Sequence, residues 1–63
     1  MKTVFCDEHK NKIFAVLEDR LDKNDLLNGT DIMIDNYFYR INASFIEIKN
    51  NEPQLLVIVH KVK

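Results

Sequence analysis

Asp35-Asn36, two residues that tolerate a positive φ, stand between the β-prone runs Asp31-Ile32-Met33-Ile34 and Tyr37-Phe38-Tyr39-Arg40-Ile41. A two-residue type I′ turn has a backbone twist that matches its flanking strands, and Asn and Asp are side chains that suit it. Such a turn fixes a register. Residues whose numbers sum to 71 face one another, so Ile34 meets Tyr37, Met33 meets Phe38, Ile32 meets Tyr39 and Asp31 meets Arg40. Opposite charges coincide at one end and β-branched residues coincide with aromatic ones, pairings that stabilise a sheet. The register puts Ile32, Ile34, Tyr37, Tyr39 and Ile41 on the core face, with Ala43 and Phe45 expected to follow. It leaves Met33 and Phe38 outside as an apolar pair.

Beyond Phe45 the apolar positions change parity, to Ile46 and Ile48. A strand has a period of two, so the change predicts a bulge or bend near Ser44 to Ile46, the device by which a small sheet curls. Asn50-Asn51-Glu52-Pro53 reads as a four-residue turn, with Pro53 ending the strand before it. That turn would face Ile48 with Leu55 and Ile46 with Val57. The last strand, Gln54 to Val62, contains Leu55-Leu56-Val57-Ile58-Val59 without alternation. A strand apolar on both faces is either central in its sheet or part of a subunit interface, and Leu56 and Ile58 are the candidate interface residues.

The first half is less constrained. Met1 to Cys6 alternates as a short strand, a polar stretch runs from Asp7 to Lys12, and Ile13-Phe14-Ala15-Val16-Leu17 completes a hairpin. Residues 11–21 also admit a helix capped by Asn11, with Ile13, Leu17 and Leu21 on one stripe, which would give β-α-β-β-β with a helix covering the sheet. The β-branched and aromatic content of Ile13, Phe14 and Val16 favours the strand. Glu18 to Asn28 reads as a short helix or helical turn, closed by Gly29, the only glycine, at its C′ position. The expected fold is therefore mostly β, a single domain over residues 1–63 in the order β-β-(short α)-β-β-β. Its small antiparallel sheet is curled toward an SH3-like or half-open barrel, and the hairpin from Asp31 to Ile41 resembles those of many small barrels.

A chain of 63 residues buries only about 60% of the surface its unfolded form exposes. Such mini-domains usually need a staple. Cys6 is the only cysteine, which excludes an intramolecular disulfide, so oligomerisation is the expected support and a homodimer the expected assembly. A lone thiol, no charged-then-apolar leader and no apolar run of membrane-spanning length predict a cytoplasmic protein. Nine basic and ten acidic residues give a net charge of −1, which argues against duplex binding. The charge is uneven, however. From Glu18 to Asp35 six acids oppose Arg20 and Lys23, a local net of −4, whereas His60, Lys61 and Lys63 close the chain.

Three chemistries can be set against solvated or packing roles. Cys6-Asp7-Glu8-His9 has C-x-x-H spacing, but a structural zinc needs two more ligands and only His60 and carboxylates remain. Cys6 with His9 or His60 as a nucleophile and base lacks any sign of an oxyanion hole. Asn24 to Asp35 has twelve residues with Gly29 sixth, like a calcium loop, yet Leu26 takes a ligand place and Asp35 replaces the bidentate Glu. No metal or cofactor is expected, and no enzymatic activity.

A single-strand nucleic-acid binder is the alternative, through Phe38 beside the basic end, but it offers a stacking platform one ring wide. The leading expectation is a non-enzymatic protein-interaction module, an accessory regulator or inhibitor. Its partner would meet Asp22, Asp25, Asp31, Met33 and Phe38, since clustered charge steers association and an outward apolar pair invites cover. Richness in Lys, Asn and Ile would suit an accessory protein of an AT-rich bacterium or its prophage.

Overall fold

The computed structural model describes residues 1–62, and shows a single five-stranded sheet nearly closed into a barrel. The strands are β1 (Lys2–Cys6), β2 (Ile13–Leu17), β3 (Asp31–Ile34), β4 (Tyr37–Lys49) and β5 (Glu52–Lys61). They lie in the order β2-β1-β5-β4-β3. Residues 11–21 are not a helix: Ile13–Leu17 pairs antiparallel with β1. The expected short helix between β2 and β3 is a single 3-10 turn, Lys23–Asp25. Gly29 follows with φ +86° and donates its N–H to the Ile41 carbonyl at 2.7 Å. Among the described residues, no helix is long and apolar enough to cross a membrane.

The β3–β4 hairpin has the register that its turn dictates, Ile34 with Tyr37 through Asp31 with Arg40. Asp35 and Asn36 both take positive φ, 49° and 72°, as a type I′ turn requires. The β4–β5 hairpin is turned by the same chemistry, Asn50 at 52° and Asn51 at 63°. Its register corrects the sequence reading by two residues, because Ile48 faces Pro53 and Ile46 faces Leu55. Pro53 thus continues the strand rather than preceding it. In a two-residue hairpin the flanking pair, Lys49 and Glu52, is hydrogen-bonded and the next is not, so β4 asks nothing of the N–H that Pro53 lacks.

The bulge that the parity change requires lies at Asn42, between Ile41 and Ala43, slightly earlier than expected. Ala43 therefore leaves the inner face and packs with Val4, Cys6, Leu56 and Ile58 on the outer one. Phe45, opposite Leu56, follows it outward and is exposed. Tyr37 is also not a core residue. It sits at the hairpin end, half exposed, with the Lys61 ammonium 4.0 Å from its ring centroid.

One pair departs from the expected antiparallel ladder. β1 runs parallel to β5, Lys2 beside Gln54 through Cys6 beside Ile58. This pairing makes β5 central, covered by β1 on one edge and β4 on the other, and that position explains its two apolar faces. The inner face buries Phe5, Tyr39, Ile41, Leu55, Val57 and Val59 around Leu26. The outer face buries Val4, Cys6, Leu56 and Ile58. Fully burying such a side chain is worth about 1.5–3 kcal/mol, so β5 is the mechanical centre of the fold. Leu56 and Ile58, the candidate interface residues, are buried within the chain and present little surface to a second copy.

Candidate partner-binding groove

The two strands that would have to pair to close the barrel are β2 and β3, the ends of the sheet order. Among the described residues, no ladder joins them. The connection between them, residues 18–30, crosses the gap instead and is pinned from beneath by Thr3. That side chain is wholly buried, and its Oγ1 donates to the Asp19 carbonyl at 2.8 Å and accepts the Leu21 N–H at 3.1 Å. With one hydroxyl satisfying two backbone groups, the connection can turn Leu21 and Leu26 inward. Leu26 is 3% exposed although it belongs to no strand, and it packs among the inner-face residues.

What remains open is an apolar groove of about 410 Å³. Ala15 and Leu17 of β2 form one wall and Ile32, Met33 and Ile34 of β3 the other, above Phe5, Leu21 and Leu26. The volume lies at the small end of the ~300–1,000 Å³ typical of ligand pockets, room for a few side chains. A bulge in β2 shapes the near wall. Cys6 faces Ile13 and Phe5 faces Ala15, so Phe14 is the extra residue; it turns onto Tyr39 with ring centroids 4.8 Å apart.

Asp25 stands at the rim of the groove. Asp22 lies just before the 3-10 turn, where its Oδ1 accepts the Asn24 N–H at 2.9 Å and its carbonyl accepts the Asp25 N–H at 3.0 Å. Both residues are exposed. Asp31 is differently placed. It faces outward and binds Arg40 through two contacts of 2.8 and 3.3 Å, and the guanidinium hydrogen bond holds its carboxyl below the usual range. Met33 is exposed and reaches the lip of the groove, with Phe38 exposed opposite it across the hairpin. The structure thus brings Asp25 and Met33 to one opening, places Asp22 in a neighbouring recess with Arg20, Leu21 and Asn24, leaves Phe38 exposed across the hairpin, and gives Asp31 a partner of its own.

Of the remaining chemical candidates, His9 and His60 line one recess with Asp7 and Glu8, and Cys6 lies outside it. Cys6 is buried at the end of β1, and burial pushes its thiol pKa up. His9 is exposed in the β1–β2 turn, while His60 Nδ1 lies 3.0 Å from Asn42 Oδ1 on the outer face. Among the described residues, no three His, Cys, Asp or Glu side chains gather where they could hold a metal ion. The twelve residues from Asn24 to Asp35 do not wrap one point, because Asn24 is in the 3-10 turn and Asp35 in the hairpin turn. Tyr37 and Phe38 project from opposite faces of the sheet by strand alternation, so they share no stacking platform.

Sequence reasoning missed the walls and floor of the groove. Leu21, Leu26, Ala15 and Leu17 meet only through the fold; the one local signal was Leu26-Leu27, an apolar pair inside a polar connection. No known protein family, curated protein or solved structure matches the chain.

Proposed function

We propose that this protein is a non-enzymatic interaction module, an accessory regulator or inhibitor, that captures a partner protein's apolar, lysine- or arginine-flanked segment in the groove between β2 and β3. The observation that carries the reading is the unclosed seam of the barrel, apolar inside with Asp25 at its rim. Two open strand edges flank it, and an extended segment entering there can take main-chain bonds from either edge while its alternate side chains fill the groove. Recognition by added strand supplies affinity from the backbone and specificity from the pockets. The surplus of acids from Glu18 to Asp35 selects a basic segment and speeds its arrival, an effect that salt weakens.

Selection from a displayed random-peptide library tests this directly. The expected consensus alternates apolar residues and carries flanking Lys or Arg, and the double variant Met33→Glu, Asp25→Lys binds the winners about tenfold or more weakly, a loss of at least ~1.4 kcal/mol. A selection with no consensus, or winners indifferent to the double variant, would overturn the reading. Single-stranded oligonucleotide titrated in parallel at low salt is expected not to bind; saturable binding there would favour the nucleic-acid alternative.

A further inference from the structure

A further open edge lies away from the groove. β3 accompanies β4 only from Tyr37 to Arg40, and the strand Ala43 to Lys49 then runs on with β5 alone. Hydrogen bonding alternates along an antiparallel strand, and the Asn50-Asn51 turn sets its phase: Lys49, Glu47 and Phe45 bond to β5, while Ser44, Ile46 and Ile48 turn their N–H and C=O outward. Among the described residues, none of these outward groups has a backbone partner. The side chains here are equally uncovered, Ile48 at 70%, Phe45 at 42% and Ile46 at 40% exposure. Native proteins blunt such edges with bulges, proline or short length. The edges beside the groove are shorter, and that of β2 is interrupted by the bulge at Phe14, whereas this stretch is longer and regular.

We infer that the Ala43–Lys49 edge is a homodimer interface, where a second copy of this chain pairs antiparallel about a two-fold axis through Ile46. The occupant is a second copy because the edge complements itself. With Ile46 opposite the partner's Ile46, Ser44 faces the partner's Ile48 and every outward backbone group of Ser44, Ile46 and Ile48 finds a mate. Ser44 shares a recess on the inner face with Leu26, Leu27 and Asn28, and Leu27 is 61% exposed. The most exposed large apolar side chains of the edge and of the connection therefore cover each other across the axis.

Charge agrees on the outer face. Phe45 falls opposite the partner's Glu47, and the Lys10 ammonium, 5.5 Å from the Phe45 ring centroid, stands between that carboxylate and its own Glu47 at 2.9 Å. A slip that set Glu47 opposite the partner's Glu47 would oppose like charges, which is disfavoured. The groove between β2 and β3 stays free, so each dimer presents two.

Light scattering over a concentration series tests the interface in the whole chain. The wild type is expected to approach twice the chain mass. Ile46→Pro removes an outward N–H that β5 does not use, and it is expected to raise the dimer dissociation constant at least tenfold while keeping the wild-type circular dichroism. Should that variant fail to fold, Ile48→Lys, at an exposed position, is expected to give the same loss. A wild type that stays monomeric throughout would overturn the inference, as would a dimer that survives the folded variant.

Discussion

Replacing Thr3 with valine removes one hydroxyl and nothing else of comparable size. The Leu21 N–H and the Asp19 carbonyl then lose their partner together, in a site only partly open to water. An orphaned group costs about 1–3 kcal/mol, and the extra methyl returns a fraction, so the net loss is roughly 2–4 kcal/mol. A chain of this length commands about 3–9 kcal/mol in all, at 0.05–0.15 per residue. The substitution therefore takes a large share of the stability. At about 4–8 °C per kcal/mol for a domain of this class, Tm should fall on the order of 10–25 °C. Thermal unfolding followed by circular dichroism gives the number, and Thr3→Ser, which keeps the hydroxyl, should fall far less. A Thr3→Val protein melting within about 2 °C of wild type would refute the idea that this hydroxyl pins the connection over the core.

Other consequences follow from the same geometry. Leu26→Ala should cost about 2–5 kcal/mol in denaturant unfolding, a core-sized penalty at a residue outside every strand. Asn51→Gly should be neutral or slightly stabilising and Asn51→Val destabilising by about 1 kcal/mol or more, since glycine alone takes φ 63° freely. Asp31 should titrate by NMR below the ordinary carboxylate range and return to it in Arg40→Gln. Because its folded pKa lies below its unfolded one, the stabilisation it brings is present above the ordinary range and is lost as pH falls through the folded value. Cys6 should resist a thiol reagent at neutral pH and react at once in denaturant, because it is buried with a raised pKa.

What could be read from the sequence was local. Asp35-Asn36 carried the β3–β4 register because turn and strands are contiguous, and the parity change after Phe45 announced a bulge because the strand period is rigid. Asn50-Asn51 has the same turn chemistry, but Pro53 drew the turn outward and shifted the register by two, an even slip that by itself moves no side chain to the other face. The parallel pairing of β1 with β5 was invisible, since it joins the two ends of the chain through no turn at all. So was the groove, whose walls lie more than ten residues apart in sequence. Leu26 looked like one more residue of a polar connection, and Thr3 like an ordinary strand residue, until β1 placed its hydroxyl beneath Asp19 and Leu21. Parity alone puts Tyr37 on the core face, but parity does not show that the hairpin ends beyond the sheet that would cover it.

The measurement that bears most directly on the seam as a binding site is an amide chemical-shift titration of the labelled protein with a library-selected peptide. The expected map has its largest shifts at Ala15, Leu17, Leu26 and Ile32 to Ile34, with Phe45 to Lys49 undisturbed. Shifts centred on Phe45 to Lys49 or on the outer face, with the β2 and β3 walls silent, would contradict it.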